Sequence, residues 1–202
     1  MGKPILTIGH SNHPLDVFLK LIGDAGVTVI ADVRTTPQSR YNQHFGQKQL
    51  TEALKGVGVD YAFFGDSLGG RPKDESVWRD GRPDYKGMAQ TMIVRDSLAD
   101  VRARAAKACL CLMCSEKEPL DCHRCLLVAR ELAKDGAEVR NLLADGGFET
   151  HAQTEECLLT WAGKRGPDLL SDAAQRRDAA YEMRADWLWK TGPSKGRAKP
   201  RV

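Results

Sequence analysis

The sequence predicts an α/β protein: a single three-layer open sandwich with a mostly parallel sheet, followed by a helical C-terminal extension. Three observations carry this. Short apolar runs rich in β-branched residues, "PILTIG" (4–9), "VTVIADVR" (27–34) and "ACLCLMC" (108–114), read as strands covered on both faces. Segments of helical period separate them and are long enough for crossovers between parallel strands. The 202-residue chain is 42% apolar, enough for one sizeable core.

In order, "PILTIG" is a strand ending at Gly9. "PLDVFLKLIGDAG" is a helix with Val17, Leu21 and Ile22 on one stripe and Pro14 in its first turn. The second strand, "VTVIADVR", is followed by a polar segment and by a helix, "GQKQLTEALKGVG". A third strand is "VDYAFFG". Residues 65–87, rich in Gly, Pro, Asp and Arg, read as a loop or lid. The polar helix "MAQTMIVRDSLADVRARAAKA" leads into "ACLCLMC". Helix "LDCHRCLLVARELAKDG" (120–136) and strand "AEVRNLL" (137–143) complete an α/β domain over residues 1–146. Residues 147–190 form the extension, with helices "HAQTEECLLTWAGKR" and "PDLLSDAAQRRDAAYEMRADWLWK". The second carries Leu170, Ala173, Ala174, Tyr181 and Leu188 mainly on one stripe, as a docking face would.

Net charge is +3, but the last twelve residues hold four Lys or Arg and no acid, leaving the rest at about −1. Residues 191–202 read as a basic, solvated tail, able at most to add phosphate contacts. No apolar run approaches the length of a membrane span. The N-terminus lacks the apolar stretch and small-residue cleavage site of a signal peptide. Six cysteines are too few for a disulfide scaffold, so reduced thiols and a cytoplasmic location are expected.

Ligands of open α/β sheets bind beyond the carboxyl ends of the strands. That makes neighbours of "GHSNH", "DVRTTPQSR", "GDSLGGRP" and "CSEKEPLDCHR". The last segment bears on three chemistries. Cys111-x-x-Cys114 and Cys122-x-x-Cys125 have the spacing of a tetrathiolate zinc site. Strand alternation, however, turns Cys111 and Cys114 to opposite faces, and Cys125 lies one turn beyond Cys122. Cys109, Cys111, Cys125 and Cys157 are therefore expected as small buried hydrophobes, and no metal is expected. Cys114 followed by Arg124 resembles the anion cradle of rhodaneses and cysteine phosphatases. The nine-residue loop between them has no glycine, and its Glu116, Glu118 and Asp121 would raise a neighbouring thiol's pKa. The third reading is a mixed polar pocket. Glu116, His123 and His10 would supply acid–base chemistry there. Ser11, Asp32, Arg34, Arg40, Arg71, Cys122 and Arg124 would bind substrate, since guanidinium forks suit phosphate and carboxylate.

"TIGHS" (7–11), "DVRTTPQSR" (32–40), Phe45, Tyr61, "LGG" (68–70) and "LMCSEKEPLDCHR" (112–124) together resemble the domain-of-unknown-function family numbered 488. The resemblance covers about residues 4–145 and implies a single α/β domain. The polar motif positions it implies are His10, Ser11, Asp32, Arg34, Ser39, Arg40, Cys114, Glu116, Cys122, His123 and Arg124, leaving Cys111 and Cys125 outside. It implies no particular reaction.

The sequence therefore reads as an enzyme, a hydrolase or transferase, acting on an anionic small molecule or nucleic acid, with the cofactor undefined. The alternatives are a nucleic-acid-binding module without turnover, and a thiol redox or sulfur-transfer protein using Cys114 or Cys122.

Overall fold

The computed structural model describes residues 3–38, 42–166 and 171–192. The elements, in chain order, begin with β1 (Ile5–Gly9), α1 (Leu15–Asp24), β2 (Val29–Asp32), α2 (Gln47–Gly56) and β3 (Asp60–Phe63). A short helix α3 (Gly65–Leu68), a hairpin of β4 (Trp78–Arg79) and β5 (Arg82–Pro83), and α4 (Tyr85–Met88) then fold the excursion read as a lid. α5 (Met92–Ala105), β6 (Leu110–Cys114), a π-helical segment Arg124–Ala129, α6 (Arg130–Lys134) and β7 (Val139–Leu142) follow. The chain continues through β8 (Phe148–Thr150), α7 (His151–Trp161) and α8 (Ala173–Thr191).

The sheet order is β3-β2-β6-β1-β7-β8; every pairing is parallel except β7 with β8. All five strands expected from apolar runs are present. β8 and the hairpin were not foreseen, because two- and three-residue strands have too little periodicity to read. β8 also means that the segment after residue 146 first widens the sheet before becoming helical.

Side-chain alternation sorts β6 between two cores. Leu110, Leu112 and Cys114 face the layer made with Val94, Leu98 and Val101 of α5 and with Leu127, Val128 and Leu132. Cys111 and Met113 face the other layer, with Phe18 and Ile22 of α1 and Leu50 and Leu54 of α2. Helices thus cover both faces, which is why the strands are apolar throughout. In α1 the buried positions are Phe18 and Ile22, while Val17 is exposed, so the stripe lies one position round from the one read in the sequence.

A third cluster docks the extension on the body: Leu158 of α7 and Ala180, Tyr181 and Ala185 of α8 pack on Leu126. Arg184 fixes the register. Its guanidinium lies over both Trp161 and Trp187, 4.7 and 4.4 Å from the ring centroids, and bonds Leu120 O and the Asp121 carboxylate. Ala173 lies two turns before Ala180 on the same face yet is exposed, as is Ala174, because α8 meets the body only from its middle onward. Leu170, also on that predicted stripe, lies outside the described residues. No helix among the described residues is long and apolar enough to cross a membrane.

Candidate functional site

The chain leaves β1 for α1 on one face and β6 for the π-helical segment on the other, so the sheet splits its connections between these adjacent strands. Beyond their carboxyl ends lies a cavity of about 440 Å³. Glu116, Cys122 and His123 of the loop after β6 line it, together with Arg71, Tyr85 and Trp189.

A rigid polar frame supports this cavity from behind. Asp32, fully buried, receives the Arg34 guanidinium through Nε (2.9 Å to Oδ1) and Nη2 (2.6 Å to Oδ2), the Arg34 backbone N–H (3.0 Å) and the Tyr61 hydroxyl (2.7 Å). Arg34 Nη1 donates to Phe45 O (2.9 Å) and faces His10 Nε2 at 3.3 Å. Because arginine can only donate, His10 Nε2 accepts, and its Nδ1–H donates to Ser11 O at 2.9 Å. The ring stacks on Phe45 with centroids 4.2 Å apart. Burial and then the Arg34 charge lower the His10 pKa to about 4, so it is neutral at pH 7. Ser11 reaches the conformation this needs at φ 49°, in the left-handed region, where its carbonyl also accepts from Asn42 Nδ2.

Arg124 plays the equivalent part under the loop after β6. It is buried, donates through Nη1 to Glu116 O and through Nη2 to Lys117 O (3.0 Å), and meets Thr7 Oγ1 through Nε (3.3 Å). Gly9 makes this loop possible: a Cβ there would sit 1.8 Å from Glu116 O.

The loop presents a compact reactive cluster. Cys114 and Cys122 donate their thiol protons to the same oxygen, Glu116 Oε2, at 3.1 and 3.0 Å. His123 Nδ1 lies 3.8 Å from Cys114 Sγ and 3.9 Å from Cys122 Sγ, while its Nε2 is 2.8 Å from Val33 O. A carbonyl can only accept, so Nε2 carries a proton. Burial opposes the Glu116 charge, but the thiol hydrogen bonds and His123 outweigh it and hold the carboxyl below its ordinary value. Burial pushes the Cys122 thiol well above its own, with Cys114 and Glu116 adding to the effect. Gly70 lies flat on the imidazole, since a Cβ would come within 2.6 Å of His123 Nδ1. The π-helical turn that begins at Arg124 directly follows the cluster.

Of the residues singled out in the sequence, Glu116, Cys122, His123 and Arg71 come together around the cavity, and Arg34 borders it. His10, Ser11, Asp32 and Arg124 stand behind it in the frame. Arg40 and Ser39 lie outside the described residues. Cys111 and Cys125 are buried as expected, but Cys109 is half-buried and Cys157 exposed, because β6 begins at the sheet rim and Cys157 falls on the outer face of α7. The sequence did not assign Tyr85 or Trp189 to the site, and carried Cys114 only as a motif position and as the thiol of the redox or sulfur-transfer alternative. Trp189 is 40% exposed, lines the cavity, and its ring centroid stands 5.5 Å from the Arg71 guanidinium.

Fold and site define the class: an open α/β sandwich with a polar crevice at the carboxyl edge of its sheet. Neither curated proteins nor solved structures yield a match. The chain belongs to the family described as Domain of unknown function DUF488, whose model matches residues 14–130. That span contains Asp32, Arg34, Arg71, Cys114, Glu116, Cys122, His123 and Arg124, and leaves His10, Ser11, α7 and α8 outside it.

Proposed function

We propose that the chain is an enzyme acting on an anionic substrate, a nucleotide or a nucleic acid end, held in the crevice beyond β6. The observation that carries this reading is the Glu116 carboxylate, charged and bonded to two thiols beside His123, on the wall of a cavity that Arg71 also lines. Such a carboxylate within reach of bound substrate is a general base or a positioning acceptor. Arg71 makes no ion pair among the described residues, so its guanidinium is the anion contact on offer. Trp189 offers a flat apolar wall for a base. Burial pushes the Tyr85 phenol up, so it stays protonated and able to donate. A volume of about 440 Å³ suits a mononucleotide. Arg34, Arg124, Asp32 and His10 hold the strand ends in place in this reading, and Ser11 shapes the turn after β1.

The test is a titration with nucleoside mono-, di- and triphosphates followed by calorimetry, with product analysis on those that bind. Glu116→Gln should keep ligand affinity within a few-fold and lower turnover by about 100-fold or more. Full activity in that variant, or no nucleotide binding at millimolar concentration, would refute the reading. Binding by the wild type without turnover would make the chain a binding module instead.

A further inference from the structure

We propose that Cys114, Cys122 and His123 form a site for one thiophilic divalent cation, zinc by chemical preference, with its fourth position open to the crevice. The inference does not depend on which substrate the crevice takes.

Geometry is the first support. Among the described residues, the two Sγ atoms and His123 Nδ1 form the group of ligand atoms that lie within 4.8 Å of one another. A tetrahedral zinc with bonds of about 2.3 Å to sulfur and about 2.0 Å to nitrogen has S···N edges of about 3.5 Å and an S···S edge of about 3.8 Å. The observed S···N separations, 3.8 and 3.9 Å, exceed that edge by a few tenths of an ångström, and the two sulfurs lie within 4.8 Å of each other, so binding the cation draws the three ligands inward.

The surroundings are the second support. His123 donates Nε2–H to Val33 O, which aims Nδ1 at the two sulfurs. A backbone carbonyl on the far ring nitrogen is how metal-bound histidines are oriented. The Arg124 backbone N–H points at Cys122 Sγ at 3.4 Å, a contact that stabilises a thiolate better than a thiol. Gly70 seats the imidazole from the other side. None of this requires the four-cysteine arrangement suggested by spacing: Cys111 lies in the opposite core layer, and Cys125 is not in the group.

The proton balance is simple. Each thiol loses its proton as its sulfur binds the cation, so two protons leave per ion; a protonated Nδ1 would release one more. Glu116 Oε2, which accepts both thiol hydrogens in the metal-free chain, is placed to take them one at a time and pass each on to solvent, ending as the carboxylate. Glu116 then borders the open coordination position, the relation that an acid–base carboxylate bears to three-ligand zinc in hydrolytic sites.

The experiment titrates the full chain, purified with chelator and reductant, with zinc against a chromogenic competitor and with cobalt under anaerobic conditions. One equivalent of zinc with nanomolar affinity is expected. Cobalt should give a thiolate charge-transfer band and the intense visible bands of tetrahedral coordination. Cys114→Ala, Cys122→Ser and His123→Gln should each weaken zinc binding by at least 100-fold. Cys109→Ser, Cys157→Ser and Glu116→Gln should keep the one-to-one stoichiometry and the thiolate band. Circular dichroism of the metal-free variants separates lost ligands from lost folding, and Cys114→Ala, which leaves a small apolar side chain in the core, is the variant least able to unfold the chain. No zinc binding tighter than micromolar by folded wild-type chain, an octahedral cobalt spectrum, or loss of the band on removing Cys157 would each overturn the proposal. Nucleotide turnover is not read, so its outcome is separate from that of the proposed enzyme activity.

Discussion

Replacing Asp32 with alanine should cost far more than an ordinary surface ion pair, and the structure says why. Asp32 has no exposed surface, and Arg34, its partner at 2.6 Å, is 3% exposed. Removing the carboxylate strands a guanidinium in the interior. Its Nε and Nη2 lose their acceptors, and the Tyr61 hydroxyl loses its bond as well. Breaking a buried pair in this way costs about 3–5 kcal/mol, whereas an exposed pair is worth under about 1 kcal/mol. For a chain of this size that corresponds to a fall in Tm of about 10 °C. Urea unfolding followed by circular dichroism measures it, provided the slope against denaturant is unchanged. Asp32→Ala combined with Arg34→Met should recover about 2 kcal/mol or more relative to Asp32→Ala alone, because no stranded charge remains. A single-variant loss below about 1 kcal/mol, or a double variant no more stable than the single, would refute the frame described here.

Gly9→Ala should destabilise by about 1–3 kcal/mol or more in urea unfolding, since the added Cβ meets the Glu116 carbonyl, a backbone atom that cannot swing aside. His10 gives the stability an acid limb. Its folded pKa of about 4 lies below the unfolded 6.5, so the unfolded chain takes up the proton first. Its contribution is therefore complete above pH 6.5 and is lost between pH 6.5 and 4, a total loss of about 3 kcal/mol by the bottom of that window. His10→Gln, compared with wild type at each pH by urea unfolding, should lack this part of the slope; identical slopes would refute the assignment. Trp189→Ala should weaken nucleotide binding by about tenfold or more in calorimetry while shifting stability little, because the ring is 40% exposed.

The sheet was legible because burial on both faces leaves a plain mark, the continuous apolar runs of β1, β2 and β6. The convergence of the four loops followed from topology alone. The division of labour among the polar residues was not legible. Arg34 and Arg124 read as anion binders because a guanidinium always has five donors to offer. Whether those donors are engaged depends on which carbonyls come within reach, here those of Phe45 and Glu116, which lie 11 and 8 residues away along the chain and are brought back by irregular segments. The cysteines divide along the same line. Period-two alternation separated Cys111 from Cys114 in the sequence, but the approach of His123 to Cys114 and Cys122 arises only when the loop folds back over β6. Trp189 escaped because it follows the docking stripe of Tyr181 and Leu188 on α8, and only the packed helix brings its end to the crevice.

The most direct test of the whole account is a crystal soaked with the tightest-binding nucleotide. The account predicts density in the crevice beyond β6, with a phosphate oxygen on Arg71, the base against Trp189, and a reacting group within hydrogen-bond reach of Glu116. Nucleotide density elsewhere on the chain, with this crevice holding only water, would contradict it.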